Sequence, residues 1–174
     1  MGRPSKVQNI RKHAFAIGCG LCLLWVAFIF SRSLKVAEVS SQESGRILEM
    51  VQRILPWMTH TLLRKLGHLA EYALLGLLMG LTLGVREKPA RLKRLRPALL
   101  TFWLPLGAGL LTGGCDELIQ TRVPGRSGEV RDILIDGAGV ALGLLLTAAY
   151  RTISTRIHKK TLRKQGNSCK ILTF

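Results

Sequence analysis

His68, Glu71 and Tyr72 stand three and four residues apart, a spacing that puts them on one face of a helix. Asp116, Glu117 and Gln120 repeat that spacing at the end of an apolar run, and Asp132 and Asp136, one turn apart, open another. Between these runs lies Val123-Pro124-Gly125-Arg126-Ser127-Gly128, where the Arg126 guanidinium and the Gly125 and Gly128 backbone suit an anion. Carboxylates beside an imidazole are equipped for general acid/base work on a phosphate or carbonyl substrate. His68, Glu71, Asp116, Glu117, Asp132 and Asp136 are therefore candidate catalytic residues, and Gln120, Arg126 and Tyr72 candidate ligand-binding groups. No nucleophile motif identifies a reaction. His68 with Glu71, Glu117, Asp132 or Asp136 would also serve Zn, Mn or Mg, but a single histidine without a His-x-x-x-His or cysteine pattern leaves the metal, and any cofactor, unknown. The competing account is an ion-pair and hydrogen-bond network that does no more than lock helices together.

The elements that must position these residues are apolar. Of 174 residues 48% are hydrophobic, and they are clustered, which argues against an ordinary soluble protein. Residues 14–30 and 97–115 carry no charge, and 73–85 and 137–150 are equally clean. Each run with its flanks approaches the ~20 residues that cross a bilayer as a helix, so the spacing predicts four membrane helices near 14–32, 66–85, 97–116 and 133–151. The expected fold is all-α: a polytopic membrane domain over 14–151, between a basic N-terminus at 1–13 and a basic tail at 152–174.

A net charge of +16 would point to nucleic acid in a soluble chain, but its placement follows the membrane. With the N-terminus in the cytoplasm, the inside segments hold 17 of the 26 Lys and Arg, six of them at 86–96. The outside loops hold nine, offset by seven acids. The positive-inside rule thus puts both ends in the cytoplasm of a plasma membrane, with membrane lipids and not nucleic acid as partners. On this topology all the candidate residues fall at one face, the outer one. Acids on three membrane helices require cations, hydrogen bonds or water, and Arg122, Arg126 and His68 are the available partners. That convergence favours a functional site over a purely structural network.

Ser40-Ser41-Gln42-Glu43 has the spacing of a capping box, predicting a short helix over 45–55 in the first outer loop, ended by Pro56. Ile47, Leu48, Val51, Ile54 and Leu55 share one face of it, the pattern of a helix lying in the interface, with Trp57 at headgroup level. Arg64 and Lys65 reach for headgroups. Gly76, Gly80 and Gly84 form a row that admits close approach of another helix, matched by Gly139 and Gly143. Pro97 fits the first turn of the third helix and Pro105 should kink it. Cys19 and Cys22 are small packing residues, not half of a zinc site.

The ordered set Lys65-x-x-His68-x-x-Glu71-Tyr72, Asp116-Glu117-x-x-Gln120, Val123-Pro124-Gly125-Arg126-Ser127-Gly128 and Asp132-x-x-x-Asp136-x-x-Gly139 resembles the VanZ-like family, named after a membrane protein associated with teicoplanin resistance. Ser40-Ser41-Gln42 is similar to a Ser-Ser-Gln element that the family carries after its first helix, which adds Ser41 and Gln42 to the ligand-binding candidates. The resemblance runs from about residue 40 to 145. It implies a four-helix membrane fold and a role in the cell envelope or the glycopeptide response, but no settled reaction. Two classes of function follow: a binding protein that holds a lipid-linked envelope precursor or a glycopeptide at the outer leaflet, or an enzyme that modifies such a component there. A proton-coupled transporter is disfavoured, because no acid stands in the inner halves of the helices.

Overall fold

The structure, a computed structural model, describes residues 6–86 and 99–171. Helix α1 covers Lys6–Ser33, α2 Ala37–Gln52 and α3 His60–Arg86. A π-helical turn over Leu99–Trp103 runs into α4, Leu104–Gln120, and α5 covers Val130–Ile171. Among the described residues there are no strands, so the fold is all-α as expected. Three stretches are long and apolar enough to cross a membrane: Lys6–Ser33, His60–Val85 and Val130–His158. Most of their residues are not buried inside the protein. Most of the basic loop, and Pro97, lie outside the described residues.

The helices outrun the apolar segments that announce them. α1 is already helical at Lys6, the first described residue, and not only from near 14, because neither Gly nor Pro stands between residues 6 and 17 to stop it. α3 begins at His60, where the Thr59 hydroxyl accepts the Leu62 amide at 3.2 Å and so caps the helix. α5 passes Tyr150 and Arg151, the expected exit, as one 42-residue helix.

The capping box is not formed. α2 starts at Ala37, with Val36 in the cap position and no side-chain cap, so Ser40 lies within the helix. Glu43 turns instead to Lys35, whose Nζ lies 2.6 and 2.8 Å from its carboxylate oxygens and holds that carboxyl below its ordinary range. The charge of Lys35 outcompetes a backbone amide for the same oxygens. α2 ends at Gln52, the residue whose carbonyl a proline at 56 would meet and leave unbonded. Pro105 acts at the start of α4 and not within it. Without an N–H there, the preceding residues take the wider π turn.

α3 is the centre of the bundle, with α1 on one side and α5 on the other, and α4 packs on α5. Glycines set the α3–α5 contact at backbone distance. Gly143 and Gly76 face the backbone of Ala73 and Val140, and a Cβ on Gly139 would lie 2.6 Å from the Leu69 carbonyl. A Cβ on Gly80 would meet Thr147 Oγ1 at 2.8 Å. The expected row thus has a definite partner helix. α4 meets α5 through Gly109 against Val140 and Gly113 against Asp136. Cys22 packs on α3, with Sγ 3.9 Å from Thr82 Oγ1. Around these contacts Ile29, Tyr72, Leu75, Val140 and Leu144 form the buried core.

Candidate functional site

The antiparallel order brings the end of α1, the start of α3, the end of α4 and the start of α5 to one end of the bundle. Arg32 on α1 pairs with Glu71 on α3, Nε to Oε1 3.0 Å, and Trp25 Nε1 donates to the Glu71 carbonyl at 2.9 Å. These contacts fix α1 against the helix that carries His68. His68 in turn faces α5: its Nδ1 lies 3.2 Å from Asp136 Oδ1, both residues buried.

α4 supplies the other acids. The Gln120 amide donates to Asp116 Oδ2 at 3.0 Å and to Glu117 Oε1 at 3.3 Å. Glu117 Oε2 accepts the Glu129 N–H at 2.7 Å, just before the first turn of α5. One oxygen each of Asp116 and Asp136, Oδ1 and Oδ2 respectively, is buried without a hydrogen bond, as is the Tyr72 hydroxyl. His68, Asp116, Glu117 and Asp136 each bring one donor atom to within 4.8 Å of the others.

The loop between α4 and α5 places Arg126. Val123-Pro124-Gly125-Arg126 is a turn closed by the Arg126 N–H on the Val123 carbonyl at 3.1 Å, with Pro124 second and Gly125 third at φ 76. Only glycine takes that φ without strain, as a type II turn requires. Arg126 Nη2 donates to Gln120 Oε1 at 2.9 Å, and Nη1 faces the carbonyls of Arg32, Ser33 and Lys35 at 3.3, 3.2 and 3.5 Å. A cation at the last carbonyls of α1 satisfies groups that no helical N–H can reach. Burial lowers the Arg126 pKa from its usual value, opposed by the charge of Asp116.

Above the acids lies a cavity of about 480 Å³. Arg32 and Ser33 line it from α1, Ser40, Ser41, Ser44 and Ile47 from α2, Arg64, His68 and Glu71 from α3, and Gly125, Arg126 and Ser127 from the loop. Three guanidiniums and one carboxylate, Glu71, line it.

The structure brings most of the candidate residues to one place. His68, Glu71, Asp116, Glu117, Gln120, Arg126 and Asp136 are together, with Tyr72 buried behind them and Ser41 on the cavity wall. Asp132 is buried one turn away from Asp136, 3.5 Å from Arg64 Nη2 and 4.0 Å from Lys65 Nζ. It anchors two cations expected to reach for headgroups and is not among the four clustered donors. Gln42 is exposed and does not line the cavity. Arg122 is exposed, and the partners expected of it are Arg32 and Arg64 instead. Those two, with Ser33, Ser44 and His60, line the cavity and were missed by the sequence reading. Ser31-Arg32-Ser33 closing an apolar run, and a cation four residues before His68, were the only signals.

No curated protein and no solved structure matches the chain. The family model described as VanZ/LLP1 matches residues 19–151, a span that begins in α1 and takes in every residue of the clustered site. With its long apolar helices and a family match over residues 19–151, the chain is a membrane protein that belongs to the VanZ/LLP1 family.

Proposed function

We propose that this protein spans the plasma membrane four times, with both termini in the cytoplasm, and takes the anionic head of a lipid-linked envelope component into the cavity at the outer leaflet. The observation that carries the reading is the set of three arginines, Arg32, Arg64 and Arg126, converging on one cavity above buried acids. Guanidinium forks match phosphate oxygens, and a headgroup held there leaves its chain free to lie along the exposed apolar helices. α4 with its π turn, Leu99 to Gln120, supplies the fourth crossing at about 30 Å. Orientation rests on the distribution of cations, which are concentrated away from the cavity end.

α2 lies at the interface on this reading. Ile47, Met50, Ile54 and Trp57 are all more than half exposed, an apolar border beside the cavity mouth that suits headgroup depth. Such a lipid would be an envelope precursor or phospholipid, and sequestering or altering it is a route to glycopeptide resistance, including resistance to teicoplanin. Modification, and not binding alone, is favoured by one observation: His68 is on the cavity wall and pairs with Asp136, an arrangement that can move a proton.

The experiment is to purify the full chain in mild detergent and identify retained lipids by mass spectrometry, then offer phosphate-bearing polyprenyl lipids and follow turnover. Retention by the parent and loss in Arg32→Gln and Arg126→Gln supports the reading. Product formation that depends on His68 makes the protein an enzyme. Lipid retained equally by the arginine variants removes the cavity from consideration.

A further inference from the structure

We propose that His68, Asp116, Glu117 and Asp136 bind one divalent metal ion through an imidazole nitrogen and three carboxylate oxygens, on the protein side of the cavity floor. Four donors from three helices lie within 4.8 Å of one another. Ligands at about 2.0–2.2 Å from an ion lie roughly 3.3–3.6 Å apart in a tetrahedral set and at most about 4.4 Å apart when trans, so the donors are within reach of one ion once the carboxylates turn inward on it.

A cluster of acids alone would not carry this. The second observation is that Asp116 and Asp136, 1% and 0% exposed, each keep one oxygen buried and without a hydrogen bond. The rest of their bonds are made: Asp116 Oδ2 accepts from Gln120 and Asp136 Oδ1 faces His68. A buried polar oxygen without a partner calls for one, and a metal ion would supply it to both; the third such carboxylate oxygen, Asp132 Oδ1, has Lys65 Nζ at 4.0 Å. Charge points the same way. Among the described residues the arginines and lysines at this end form ion pairs with Glu43, Glu71, Glu129 and Asp132, and none with Asp116, Glu117 or Asp136. A divalent ion neutralises what His68 alone cannot. The surroundings also resemble an outer ligand shell, since Gln120 and the Glu129 N–H orient Asp116 and Glu117 from outside. Three carboxylates with one imidazole suit Mn(II) or Zn(II). The inference goes beyond the headgroup reading and does not depend on it.

The test uses the full-length protein in detergent, stripped with chelator and dialysed against Mn(II) or Zn(II). The parent should retain one ion per chain by elemental mass spectrometry, and its Mn(II) spin-echo spectrum should show coupling to an imidazole nitrogen, a readout that needs no variant. Asp116→Asn and Glu117→Gln should each weaken binding at least tenfold, while Glu49→Gln on α2 should bind as the parent does. Added Mn(II) should raise the melting temperature of the parent and not of Asp116→Asn. Retention of neither ion by the parent, or equal retention by both variants, overturns the proposal. Lipid copurifying with stripped protein would leave the headgroup reading standing in that event, and metal bound without lipid would leave this one.

Discussion

Arg126 reaches Gln120 back across the Pro124-Gly125 turn, Nη2 to Oε1 2.9 Å, while its other terminal nitrogen serves three carbonyls at the end of α1. One side chain thus ties the end of α1 to the end of α4. Lysine keeps the charge and loses the fork. Arg126→Lys should lower stability by about 1–3 kcal/mol, read as a fall in melting temperature in detergent, and weaken anionic-lipid retention as well. An unchanged melting temperature would mean that the α1 carbonyls do not need it.

Backbone contact between α3 and α5 predicts that a single methyl group decides folding. Gly143→Ala drives a Cβ into the Ala73 carbonyl, which has no side-chain freedom to yield. It should cost about 1–3 kcal/mol or more and deplete folded protein. Gly107→Ala, with nothing within 4 Å of its Cβ, should be neutral or slightly stabilising. Size-exclusion profiles of the two variants give the comparison, and equal profiles would refute the interface.

The four helix ends at the cavity define a side of the membrane. In a cysteine-free background, Gln42→Cys and Ser127→Cys, both exposed at that end, should react with an impermeant thiol reagent from outside intact cells. Ser154→Cys, exposed on the distal part of α5, should react only after lysis. The reverse pattern would invert the proposed orientation.

Asp136→Asn and Glu117→Gln separate a site from a scaffold. Both replacements keep an oxygen where the hydrogen bond to His68 or Glu129 is made. A working site should lose its envelope phenotype in each while insertion and yield persist. A locking network should instead lose folded protein, because breaking a buried pair costs about 3–5 kcal/mol. Yield measured beside phenotype decides between them.

What the sequence made legible was local. His68, Glu71 and Tyr72 were placed by helical spacing, the glycine rows by their period, and the shared end by counting cations. Arg32 and Arg64 were not, because their roles exist only once α1 lies against α3 and α5 lies beside it. Their partners are Glu71 and Asp132, tens of residues away. The capping box failed for a related reason: Glu43 had two local options, and Lys35, eight residues back, took it. Asp132 was grouped with the catalytic acids because it shares a helix face with Asp136. Both are buried, but one turn of rise puts Asp132 against Arg64 and Lys65 and Asp136 against His68, and spacing alone does not say which partners each will meet.

The glycine contact has a consequence for how the site can move. With Gly76, Gly139 and Gly143 setting backbone on backbone, α3 and α5 have no layer of side chains between them that could slide or repack. They form a single plate, and His68 and Asp136 ride on it as fixed points. Asp116 and Glu117 belong to α4, which touches that plate through Leu110, Val140 and Asp136 side chains, and Arg126 hangs on the loop. A shift of α4 would therefore be read against a fixed histidine and aspartate, and the gap it would change is the one between the unbonded oxygens of Asp116 and Asp136.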